Sequence, residues 1–124
     1  MINLVKYLKK RVEEETTYLC DIEPEWVEPY PDVRFEPLGE DWRVDNLGNK
    51  RSKIVDFKVH FYTNKSYYAT NVEFGVEFIE YVQKMLKDYL IVEVQRCKIV
   101  PDEIPGQLLV KVTGSFTVKL YKRR

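Results

Sequence analysis

The residues of this 124-residue chain best spaced for catalysis are two carboxylates and a lysine. Asp32 follows Pro31, and after 23 intervening residues comes Asp56-Phe57-Lys58. Alternate side chains of a strand share a face, so Asp56 and Lys58 would project together. Paired carboxylates can hold Mg²⁺ while a lysine stabilises developing charge or activates water. His60 has no Ser, Cys or carboxylate at a catalytic spacing and reads as a surface residue. Cys20 and Cys97 are too few for a disulfide scaffold. They could pair, but two inert thiols near the core are the preferred reading. One histidine and two scattered cysteines do not supply the four ligands of a zinc site. The five glycines are dispersed and form no phosphate loop. No metal or cofactor is expected.

Composition narrows the class further. Apolar residues are 44% and aromatics 14%, enough for one folded core and too little chain for two. Twenty basic and twenty acidic residues cancel, which disfavours a globally basic nucleic-acid binder. No apolar run reaches the roughly 18–20 residues of a membrane span. MINLVKYLKKR has no apolar h-region, so no secretory signal is expected. The neutral total conceals blocks: residues 1–12 carry four bases and no acid, and residues 13–41 carry eleven acids against Arg34. Residues 90–124 are basic again, with seven bases against three acids. Such blocks either neutralise one another within a subunit or suit head-to-tail contacts between copies.

The elements that must position these residues follow from periodicity. Val5, Leu8 and Val12, with Leu4, predict a helix over 2–15 that stops near Thr16–Thr17. YLCDI is rich in strand formers. Three prolines in 23–32 predict an extended crossing segment, pinned by Trp26 and Tyr30. A short strand at Val33 and Phe35 then leads into a loop over 37–50, rich in Gly and Asn. Trp42 in that loop is either a partner anchor or a lid over the core. Residues 51–63 alternate apolar Val55, Phe57, Val59 and Phe61 with polar neighbours, the pattern of a strand with one wet face. Residues 71–89 predict a second helix capped by Asn71, its core stripe running through Phe74, Phe78, Tyr81 and Met85. A strand over 90–99, a VPDEIPG turn and a strand over 108–121 complete the chain. That last strand would be near 46 Å long, so it is expected to project, bend at Gly114 or join a neighbour's sheet. The sum is a single α+β domain over 1–124: a mainly antiparallel sheet of four or five strands with two helices on one face.

Two resemblances follow. The Pro31-Asp32…Asp56-Phe57-Lys58 arrangement resembles the restriction-endonuclease-like nucleases, which implies a metal-dependent nuclease using Asp32, Asp56 and Lys58 as the alternative function. The element order itself resembles the small tail-terminator, or tail-completion, neck proteins of long-tailed bacteriophages. It is carried by INLVKYLKKRV, KIVDFKVHFYTN, FGVEFIEYVQKMLKDYL and the hairpin IVEVQRCKIV…LLVKVTGSFTVKL.

That resemblance implies a structural virion protein without enzymatic activity, assembled in the host bacterial cytoplasm. It forms a ring, commonly a hexamer, that caps the tail tube, ends its polymerisation and joins it to head and neck connector proteins. DNA passes through the lumen without sequence reading. By position, the partner contacts fall on Asp41, Trp42, Arg43, Asn46, Lys50 and Arg51 in the first loop and on Asp102 and Glu103 in the second. The basic end, Lys119, Lys122, Arg123 and Arg124, would touch a neighbouring subunit or DNA. A short basic tail that merely solubilises is the plainer reading of the same residues.

Overall fold

The computed structural model describes residues 2–22, 32–44, 51–64, 68–88, 92–103 and 109–121. In chain order these form α1 (Ile2–Glu15), β1 (Cys20–Ile22), β2 (Val33–Val44), β3 (Arg51–Asn64), α2 (Tyr68–Leu86), β4 (Val92–Glu103) and β5 (Leu109–Tyr121). The class is the expected α+β. The five strands lie in the order β1-β2-β3-β5-β4, antiparallel except for β1 beside β2. The prolines at 24, 29 and 31, with Trp26 and Tyr30, fall outside the described residues.

α1 ends where its sequence said it should. The Thr16 hydroxyl donates to the Val12 carbonyl at 2.6 Å and accepts from the Tyr18 amide at 3.2 Å. The same Val12 carbonyl also accepts the Thr16 amide at 2.9 Å, so the hydroxyl adds a second bond to the last helical turn. Leu4, Val5, Leu8 and Val12 of α1 and Phe78, Ile79, Val82 and Met85 of α2 enter one buried cluster. The same cluster holds Val33 and Phe35 of β2, alternate residues Val55 to Phe61 of β3, and Val112, Phe116 and Val118 of β5. Phe57 and Phe116 face each other in register, their rings stacked with centroids 5.1 Å apart. α2 comes close enough that a Cβ on Gly114 would lie 2.5 Å from Ile79 Cγ2, and one on Gly75 would strike Val112.

Four expectations are corrected. Residues 37–44 are not loop: Glu40 to Val44 pair with Val55 to Arg51, and the register slips once between Pro37 and Gly39. The bulge leaves Leu38 unpaired, directly after the proline that composition read as a break. Likewise Val100–Glu103 extend β4, because an edge strand tolerates Pro101 on its open side. α2 begins three residues early, so Asn71 lies inside it, and Phe74 is 54% exposed rather than core. Finally, β5 does not project beyond the sheet, and its register runs unbroken through Gly114. It pairs along its length with β3 and from Val110 to Leu120 with β4, so its length is the length of the sheet.

Candidate functional site

Period-2 alternation sends the second set of side chains to the polar face. The register places Arg34, His60, Thr113 and Val100 in one row across β2, β3, β5 and β4. The next rows are Glu36, Lys58, Ser115 and Lys98, then Gly39, Asp56, Thr117 and Arg96. His60 is not a surface residue: it is 6% exposed. Its Nδ1 lies 2.8 Å from the Thr113 hydroxyl, and its Nε2 lies 2.8 Å from Glu36 Oε1. A neutral ring protonated at Nε2 donates to Glu36 and accepts from Thr113. Hydroxyl, imidazole and carboxylate are thus linked across three strands. Sequence spacing hid this because the partners are 24 and 53 residues away.

The nuclease residues are not brought together. Asp32 accepts the Leu19 amide at 2.9 Å and stands opposite Tyr62, whose amide bonds the Asp32 carbonyl. Asp56 lies six residues back along β3, roughly 20 Å away. It accepts the Thr117 hydroxyl at 2.6 Å. Asp56 and Lys58 do share a face, as the alternation required. Among the described residues no group of three or more His, Cys, Asp or Glu could hold a metal ion.

The residues assigned to partner contact divide between two ends of the sheet. Asp41, Trp42 and Arg43 belong to β2 and Arg51 to β3, so they are strand residues rather than loop. Asp102 and Glu103 are likewise in β4. The register puts Arg51, Val92 and Tyr121 at one end, and Asn64, Glu103 and Leu109 at the other. β3 spans roughly 45 Å between them. Lys119 lies near the first end in β5. Asn46, Lys50, Lys122, Arg123 and Arg124 lie outside the described residues.

Much of the charge-block pattern resolves within the subunit. Glu13, Glu14 and Glu15 pair with Lys9, Lys10 and Arg11 one helical turn back, and Arg11 also reaches Asp88 at 2.8 Å. Glu36 meets His60, and Glu40 meets Lys53 at 3.2 Å. The Arg11 guanidinium holds the Glu15 carboxyl below its ordinary value, chiefly by direct hydrogen bonding. The thiols are at opposite edges of the sheet and both are free. Four strand spacings, about 19 Å, prevent their pairing. Burial pushes the Cys20 thiol up to about 12, which keeps it protonated and inert.

One concavity opens on the polar face, with a volume of about 370 Å³. Its lining includes Leu38, Asp56, Arg96, Lys98, Ser115 and Thr117. Register shifts flank it in both β2 and β4, and such bulges curl a sheet locally. No helix among the described residues is long and apolar enough to cross a membrane. No known protein-family model matches this chain, and no curated protein matches its sequence.

Proposed function

We propose that this chain is a structural subunit that works by shape: one copy of a ring that caps the tail tube of a phage or phage-like particle. The ring ends tube growth and joins the tail to the neck, with DNA passing through its lumen unread. The observation that carries this reading is the polarity of the sheet. Asp41, Trp42, Arg43 and Arg51 stand at one end, and Asp102 and Glu103 at the other. A brick built so can touch one layer with each end. The element order, two helices against a long antiparallel sheet, supports the same reading.

The test uses full-length chain with the tube and neck subunits of its particle. Charge reversal at one end (Asp41→Lys with Arg43→Glu) is expected to abolish one axial contact and leave the other. Asp102→Lys with Glu103→Lys is expected to do the converse. Electron microscopy reads tube length and ring occupancy separately from head joining. Tubes of unchanged length without the chain, and no ring at any tube end with it, would overturn the proposal.

A further inference from the structure

We infer that the polar-face concavity binds a phosphate group, presented by a mononucleotide or by a single-stranded nucleic acid. Three observations carry this, and none depends on the ring reading. First, Arg96 and Lys98 are exposed at alternate positions of β4, so they stand on one face of the edge strand. Neither forms an ion pair with any described residue. Two like charges left together at the rim of a hollow are unfavourable unless an anion joins them. Arginine offers a planar fork that matches phosphate oxygens, and lysine adds a mobile point charge.

Second, Ser115 offers a hydroxyl donor on the floor of the site, while Thr117 beside it gives its proton to Asp56. Ser115 sits between Lys58 and Lys98 in its row, and Thr117 sits between Asp56 and Arg96. Asp56 is the only acid of the lining, and its Oδ1 already accepts the Thr117 hydroxyl. It stands two strand spacings from Arg96, about 10 Å across β5, and forms no ion pair with it. The lining thus sets two cations, Arg96 and Lys98, against one partnered carboxylate. Third, the size is right. About 370 Å³ falls at the lower end of small-molecule sites and admits a mononucleotide. The Leu38 side chain, 52% exposed at the rim, offers an apolar surface for the rest of such a ligand.

Full-length protein is titrated at low salt with inorganic phosphate, a nucleoside monophosphate and a short single-stranded oligodeoxynucleotide. Binding is expected, and R96A/K98A is expected to weaken it by at least about tenfold, since charged hydrogen bonds are lost. Asp56→Asn keeps an acceptor for Thr117 but removes the like charge, so it is expected to tighten binding a few-fold. Lys87→Ala, an exposed cation after α2, is expected to change nothing. Similar affinity for phosphate and monophosphate assigns the site to a small ligand. Much tighter binding of the oligonucleotide, falling steeply with salt, assigns it to a backbone. If none of the three probes binds, or R96A/K98A binds like the parent, the inference fails. Because Arg96 and Lys98 are exposed, thermal denaturation of the variants should match the parent and separate lost binding from lost fold.

Discussion

On one face of β3 and β5, Val55, Phe57, Val59, Val112, Phe116 and Val118 are at most 2% exposed, and α2 lies against them. On the other face, alternate residues of the same two strands place Asp56 and His60 against Thr117 and Thr113. The apolar face is held by shape. Its residues have no directional demand, so their value lies in filling volume, and Gly114 and Gly75 are small because α2 must come close. The polar face is held atom by atom. His60 and Asp56 sit where an unpaired group would be costly, and each has a partner at 2.6–2.8 Å. Damage to the two faces should therefore differ in kind as well as size.

Phe57→Ala should do the most harm, about 3–5 kcal/mol by chemical denaturation, because it empties a stacked aromatic pair in a fully buried site. Gly114→Ala tests shape from the other direction. Its new Cβ collides with Ile79, and the expected loss is about 1–3 kcal/mol. Pairing it with Ile79→Ala should relieve the collision but open a gap. A Gly114→Ala protein as stable as the parent would mean that α2 is free to move away.

His60→Leu should cost about 1–3 kcal/mol, since it strands the Thr113 hydroxyl and one Glu36 oxygen. Adding Thr113→Val removes one stranded partner and should recover part of the loss, measured as a double-mutant coupling. Glu36, at 30% side-chain exposure, can turn to water for the rest. Recovery by a second deletion is the signature of the polar face. No second truncation should rescue Phe57→Ala. Purely additive losses at His60 and Thr113 would erase the distinction.

The smallest effect belongs to the α1 surface. Arg11 favours the ionised form of Glu15, so the pair's contribution is complete above the ordinary carboxylate value of 4.5. It is lost as pH falls through the lowered folded value. Arg11→Met should flatten the acid limb of the stability profile between about pH 5 and 3 and change little at pH 7. An unchanged acid limb would show that the pair contributes nothing in solution.

What the sequence determined by itself was the pair of local periods. The 3.6-residue spacing of Leu4, Val5, Leu8 and Val12 and the two-residue spacing of Val55 to Phe61 specified α1, β3 and the face each buries. The α+β class followed from those periods, as did the common face of Asp56 and Lys58. Tertiary structure decided what lay beyond them. Pro37, Gly39 and Pro101 read as breaks, yet β3 and β5 supplied backbone partners and the bulge took up the misfit. Phe74 fits the helical stripe, yet the close approach of α2 at Gly75 turned the buried face away from it. The polar pairings of His60 and Asp56, the hollow beside Arg96, and the division of the contact residues between two ends all depend on strand order. Strand order is set by which nonlocal pairings bury the most apolar surface together, and no local window of residues contains that comparison.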